Sequence, residues 1–137
     1  MKKNIIVLCT GNSCRSQIAE GYIRHMAGER FNVVSAGIEP SKVNPRAIQV
    51  MQEDGIDISH HTSDDVQKYV GDAFDYIITV CDNAKERCPV FPGSGERIHW
   101  SFPDPADATG TDEQILNVFR AIRDQIKSTL ENFVITY

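Results

Sequence analysis

The chain has 137 residues, 41% of them hydrophobic and 24% charged, with a formal net charge of −5. That length predicts one domain, residues 1–137, with a sizeable hydrophobic core. Net acidity argues against a nucleic-acid partner, because neutralising phosphates drives such binding, and the longest wholly apolar run, Ile5–Cys9, is too short to span a membrane or serve as a signal sequence behind Met1-Lys2-Lys3.

The segment NIIVLC, residues 4–9, is a continuous β-rich run, the pattern of a strand buried on both faces. From Arg15 onward, Ile18, Tyr22 and Met26 recur every fourth position beside Ala19 and Ile23, which predicts a helix ending near Gly28. FNVVSAG, residues 31–37, reads as a second strand closed by Gly37. Asn44-Pro45 then looks like an N-cap with proline at the first helical position. Ala47, Ile48 and Met51 supply the buried stripe of that helix, and Gly55 suits its stop. Ser63-Asp64-Asp65 resembles the cap and acidic first turn of a short helix running to about Val70. DYIITVC, residues 75–81, is a third strand and RIHWSF, residues 97–102, a fourth. Thr111-Asp112-Glu113-Gln114 is a capping box. Behind it Ile115, Phe119, Ile122, Ile126, Leu130 and Phe133 form one apolar helix face.

Strands alternating with helices predict an α/β fold, a four-stranded parallel sheet with helices on both faces. Ligands of such sheets bind beyond the carboxyl ends of the strands. Cys9 ends the first predicted strand, Cys81 ends the third, and Pro103-Asp104-Pro105 follows the fourth, so three chemically loaded points converge on one rim. Charge agrees with a site near the start. Residues 1–30 carry five Lys/Arg against two Glu, and the remainder carries nine against seventeen Asp/Glu. An anionic substrate therefore needs a local capture device in the first segment.

The four cysteines are Cys9, Cys14, Cys81 and Cys88. Structural disulfides are not expected in a reducing cytoplasm, the default location, and the spacings lack the close pairs of zinc sites. A loop entering a helix offers unpaired backbone N–H groups and the positive end of the helix dipole. In CTGNSCRS, residues 9–16, Gly11 allows close approach and Arg15 supplies a fork for two oxygens of a tetrahedral oxyanion. The same field favours a thiolate at Cys9. The result is an oxyanion cradle built from Thr10, Gly11, Asn12, Ser13, Cys14, Arg15 and Ser16 over a nucleophile. A packed, inert Cys9 is the bland alternative, which the Cys-x5-Arg spacing and the strand-to-helix junction weigh against. A nucleotide-binding loop is excluded, since no Gly-Lys-Ser/Thr follows Gly11.

The motifs CTGNSCRSQIAEG, SAGIEP, VNPRAI, GIDISHHTSDD, TVCDNAKERCP and FPDPA together resemble the thioredoxin-coupled arsenate reductases, which share the low-molecular-weight protein tyrosine phosphatase fold. Cys-x5-Arg-Ser with a distant Asp-Pro is the mark of the wider fold family, and Cys81-x6-Cys88 selects the reductase branch. The resemblance implies reduction of arsenate to arsenite in arsenic detoxification. Cys9 would attack arsenic while Arg15 and the loop hold its oxygens, and Asp104 would protonate the departing oxygen. Cys81 would then attack Cys9, and Cys88 would attack Cys81, leaving a Cys81–Cys88 disulfide for an external thiol. Mobility of the polar stretch DNAKER between them is a requirement of that relay. Thioredoxin is the implied reductant of a monomeric enzyme, with glutathione–glutaredoxin and mycothiol as alternatives. Phosphate or sulfate would mimic the substrate.

The resemblance also implies no tightly bound cofactor beyond a potassium ion, at positions matching Asn12, Glu20, Ser35, Thr62 and Asp64; a plain hydrogen-bond network is the alternative there. Cys14 reads either as a resolving thiol or as a small residue tucked against the sheet. Asp107 is expected to be solvated and Asn12 to bond its own backbone. His60 and His61 are expected to diverge, and Trp100 and His99 to pack at the end of the fourth strand. Two other functions remain open. A low-molecular-weight tyrosine phosphatase would need Cys9, Arg15 and Asp104 only, but Ala106 and Asp107 stand where such enzymes carry an aromatic clamp. A non-enzymatic oxyanion sensor would leave Asp104 without a role.

Overall fold

The computed structural model describes residues 2–82 and 88–137. The stretch DNAKER, whose mobility the resemblance requires, lies outside the described residues from position 83 to 87. Four strands form one parallel sheet in the order β2-β1-β3-β4: β1 is Lys3–Cys9, β2 Phe31–Gly37, β3 Tyr76–Thr79 and β4 Glu96–His99. The α-helices are α1 (Arg15–Ala27), α2 (Pro45–Glu53) and α3 (Asp112–Thr136).

β1 is central and apolar at every position from Ile5 to Cys9, so both of its faces meet core. Ile5, Val7 and Cys9 pack with α1, α2 and α3, whose stripes include Ile18, Tyr22, Val50, Met51, Phe119, Ile126 and Phe133. Ile6 and Leu8 point the other way, onto Ala36, Val66, Ile77 and Phe91. Helical cover is therefore present on both faces but unequal. Three α-helices lie on one side, and a 3-10 turn at Val66–Tyr69, with Phe74 before β3 and Phe91 before β4, covers the other.

Local signals operate as their chemistry demands. Asn44 Oδ1 accepts from Arg46 N at 2.9 Å with Pro45 opening α2, and Gly55 follows its end at φ +78°. Thr111 and Gln114 complete the reciprocal capping box of α3. Three boundaries differ from the sequence reading. Pairing of β3 stops at Thr79, and β4 ends at His99, so Cys81 and Trp100–Phe102 lie beyond the ladder. Ser63 and Asp64 do not cap a helix; Asp65 alone caps a 3-10 turn, accepting from Gln67 N at 2.9 Å. Trp100 packs against Phe133 as expected, whereas His99 is exposed and hydrogen-bonds Thr79 Oγ1 at 2.6 Å.

Candidate active site

β1 delivers Cys9 to the carboxyl rim, and six residues later Arg15 opens α1. The intervening loop folds over the end of β2. A Cβ on Gly37 would sit 2.6 Å from the Thr10 carbonyl oxygen and 2.9 Å from the Asn12 nitrogen, so only glycine lets the loop pass. Asn12 takes the left-handed conformation, φ +48°, which asparagine tolerates better than most residues. That turn aims the Asn12 N–H at Cys9 Sγ, 3.1 Å away.

The Asn12 side chain then holds the turn from below. Its Nδ2 donates to Ser16 Oγ at 2.8 Å and to Ser35 Oγ at 2.9 Å, and its Oδ1 accepts from Asp64 N at 2.8 Å. These partners replace the expected bonds to its own backbone. Ser16 Oγ lies 2.9 Å from Cys9 Sγ, within reach for its hydroxyl to donate to a Cys9 thiolate. As a thiolate, Cys9 has two donors within reach, the Asn12 N–H and the Ser16 hydroxyl, and it is 2% exposed.

Arg15 is 2% exposed, and its Nη1 donates to the Phe102 carbonyl at 3.0 Å. Its Nη2 stands 3.6 Å from Asp104 Oδ2. Asp104 Oδ1 accepts from Ala106 N at 3.0 Å, capping a 3-10 turn over Pro105–Asp107 that the sequence reading did not contain. That turn carries no aromatic side chain. The geometry therefore gathers Cys9 from the end of β1, Arg15 from the start of α1 and Asp104 from the loop after β4 at one rim. At the N-cap of α1, the Cys14 side chain makes no capping hydrogen bond, and a tetrahedral oxyanion is the kind of group that first-turn amides accept.

Cys14 is a different thiol from Cys9. It is 3% exposed, and burial pushes its thiol up to about 12, with the Ser13 hydroxyl opposing the rise. A thiol with that value stays protonated at neutral pH, which fits a packed residue rather than a resolving one. Cys81 and Cys88 are disulfide-bonded, with their Cα atoms 5.8 Å apart. Val80 N donates to Leu8 O at 3.0 Å, so Cys81 follows directly beside the end of β1, just past the end of the neighbouring strand β3. Cys81 is fully buried, and Cys88 is half-buried.

The five residues of the expected cation site do come together. Ser35 Oγ donates to Glu20 Oε1 at 2.7 Å, and Thr62 Oγ1 donates to Asp64 Oδ2 at 2.9 Å, next to the Asn12 bonds above. Glu20, Ser35, Thr62 and Asp64 border a pocket of about 260 Å³ behind the loop. Both carboxylates already have cationic partners: Arg24 Nε lies 2.9 Å from Glu20 Oε2 and Lys68 Nζ 3.6 Å from Asp64 Oδ1. Among the described residues, no group of three or more His, Cys, Asp or Glu is placed to hold a metal ion. His60 and His61 do not diverge; their rings meet edge to face at 4.9 Å. Burial lowers the His61 imidazole below its usual value, against the pull of Glu20, so it is neutral at pH 7.

Gln17, not singled out from the sequence, and Ser63, read there only as a helix cap, both contribute to the site. Gln17 Nε2 donates to Asn12 O at 3.1 Å and Thr62 O at 2.9 Å, and Ser63 Oγ donates to Gly11 O at 3.1 Å. A fully buried Gln17 on α1 signals a bonded role only once its burial is known.

Comparison with known proteins places this geometry. A family model described as low molecular weight phosphotyrosine protein phosphatase matches residues 4–136. An arsenate reductase of Halalkalibacterium halodurans is 48% identical over 135 residues, covering 98% of this chain and 97% of the relative. A solved structure described as an arsenate reductase in the phosphate binding state superposes with a TM-score of 0.79 at 35% identity, over 99% of this chain and 98% of the other. The thioredoxin-dependent arsenate reductase of Corynebacterium glutamicum gives a TM-score of 0.69 at 25% identity, over 99% of this chain and 64% of that one.

Proposed function

The chain belongs to the low molecular weight phosphotyrosine protein phosphatase family, and from that premise we propose that it is an arsenate reductase working through three cysteines. The observation that carries the reading is the pairing of an oxyanion loop at Cys9–Arg15 with a Cys81–Cys88 disulfide on the adjacent strand end. A phosphatase needs the first feature and has no use for the second.

Cys9 thiolate attacks arsenic, forming an S–As bond as one oxygen leaves as water, its proton coming from Asp104. Arg15 and the loop amides hold the remaining oxygens. Cys81 thiolate then attacks Cys9 Sγ. A Cys9–Cys81 disulfide forms, the S–As bond breaks, and its electron pair stays on arsenic, which departs as arsenite. Cys88 attacks Cys81 in turn, releasing Cys9 and leaving the Cys81–Cys88 disulfide. A dithiol reductant, thioredoxin by analogy with the C. glutamicum neighbour, returns the enzyme to its starting state.

The reading takes residues 1–137 as one such domain, acting as a monomer in a reducing compartment, the cytoplasm. Among the described residues, no helix is long and apolar enough to cross a membrane. No step of this relay is routed through potassium. The five candidate residues offer oxygens, but Arg24 and Lys68 already compensate the two carboxylates, and Asn12 turns N–H groups toward Ser16 and Ser35. A cation there would have to compete with these partners. The tyrosine phosphatase alternative lacks an aromatic clamp in the Pro105–Asp107 turn; what it leaves is weak turnover of small phosphate esters.

The test is a Cys88→Ser variant given one equivalent of arsenate, with disulfides mapped by mass spectrometry. A trapped Cys9–Cys81 bond is expected. Arsenite release at the wild-type rate with no such bond would sink the relay.

A further inference from the structure

The two peptides flanking Asn12 are gripped from outside the oxyanion loop. The Gly11–Asn12 peptide is the one whose N–H faces Cys9 Sγ. Its other end, the Gly11 carbonyl, accepts from Ser63 Oγ at 3.1 Å and from Ser41 N at 3.3 Å. Ser41 N also lies 3.1 Å from Ser63 Oγ, so the serine hydroxyl takes that hydrogen and passes its own to Gly11. Donors on a carbonyl polarise the peptide and strengthen donation by the amide at its far end. The push therefore runs from Ser63 through one peptide to the nucleophilic sulfur.

The next peptide, Asn12–Ser13, is held by Gln17. Its NH2 group meets two carbonyls, Asn12 O and Thr62 O, which only accept, so its amide orientation is fixed. Gln17 Oε1 must then accept from His61 Nδ1 at 3.0 Å, which places the hydrogen of neutral His61 on Nδ1. His61, Gln17 and Ser63 are outside the Cys9–Ser16 loop, and two of the three come from the segment between α2 and β3.

We propose that Ser63, with Gln17, is a positioning residue for the Cys9 nucleophile: together they fix the left-handed Asn12 turn and polarise the amide that faces the sulfur. The proposal rests on Cys9 as the nucleophile, and it adds a second segment of chain, residues 61–64, to what prepares that nucleophile. Neither side chain touches an oxyanion in the loop. Their effect belongs in the reactivity of Cys9 and in kcat, with little in KM.

The experiment measures iodoacetamide alkylation of Cys9, site-mapped by mass spectrometry in the full chain, beside arsenate turnover and the melting temperature. Ser63→Ala is expected to slow Cys9 alkylation about tenfold and to lower kcat by a similar factor, the size of one charge-directed donor, with KM within about twofold. Ser63→Thr keeps the hydroxyl and is expected to restore both. Gln17→Met, close in shape but without donors, is expected to act in the same direction, so the test stands if either variant fails to fold. Alkylation and kcat at wild-type values, or a loss that Ser63→Thr does not restore, would overturn the proposal, whatever happens to the melting temperature. Alkylation needs no arsenate. A variant that alters it in a protein that never reduces arsenate would leave this positioning role standing while the reductase reading falls.

Discussion

The rim of the sheet has two parts built on opposite terms. Around Cys9, seven residues of loop are tied by hydrogen bonds to β2, to α1, to residues 39–44 and to residues 62–64. Around Cys88, the neighbouring β4 is mostly exposed, Val90 is 91% exposed, and an open apolar pocket of about 470 Å³ runs along Ile77, Pro89, Phe91 and His99. The first part is fixed in shape by these bonds before any ligand arrives, which is what preorganised stabilisation of an oxyanion requires. The second leaves Cys88 within reach of the surface, which is what exchange with an external thiol requires. On the proposed reading, one rim thus carries a rigid half for chemistry on an anion and an accessible half for electron delivery.

The comparison breaks first at Arg15. Lysine there keeps the charge but loses the planar fork held by Phe102 O and Asp104. Arg15→Lys is expected to lower kcat/KM for arsenate by roughly a hundredfold. A loss under threefold in a coupled reductant assay would mean that the fork is not used.

Reducing the Cys81–Cys88 bond probes the independence of the two halves. The cysteines are 7 positions apart, and closing so short a loop is worth about 2–3 kcal/mol on the chain-entropy account. The melting temperature is expected to drop by roughly 10 °C on reduction, while Cys9 alkylation stays within about twofold. A Cys9 rate that follows the redox state of the pair would show the halves to be coupled.

Cys14 gives the smallest effect at neutral pH and sharpens the contrast inside the loop itself. With its thiol held at about 12 by burial, it stays unlabelled under native conditions while Cys9 reacts. Cys14→Ala is expected to retain arsenate turnover within about threefold. The sign of the pH effect follows from the raised value. Above about 9 the unfolded thiol ionises and the folded one does not, so stability contributed by this group is full below that pH and declines toward about 12. Thermal melts between those limits should therefore fall less steeply in Cys14→Ala than in the parent; equal slopes would remove the burial argument.

Much of this was legible in the residues. The run Ile5–Cys9, the α1 stripe, the Asn44-Pro45 start and the Thr111–Gln114 box are local signals, and each operates in the structure as the chemistry of its own segment dictates. The motif Cys9-x5-Arg15 identifies an oxyanion loop for the same reason, since strand end, glycine and guanidinium are adjacent in the chain. Pairing limits were harder. β3 and β4 stop early because a ladder ends where its neighbour leaves, and that neighbour is distant in sequence.

What only the tertiary structure decided is which distant groups meet the loop. Ser63, read as a helix cap, instead bonds Gly11; Asp64 offers its backbone N–H to Asn12; Gln17, one more polar residue on a helix, is buried whole and bonded three ways. Cys9 and Cys14 are equally buried and separate on the same ground, since their partners, Asn12 N–H and Ser16 Oγ at Cys9 and Ser13 Oγ at Cys14, are properties of position in space. Residue type and spacing determine the reagent that a segment can offer. Long-range packing determines what surrounds it, and surroundings set the charge, direction and access through which that reagent acts.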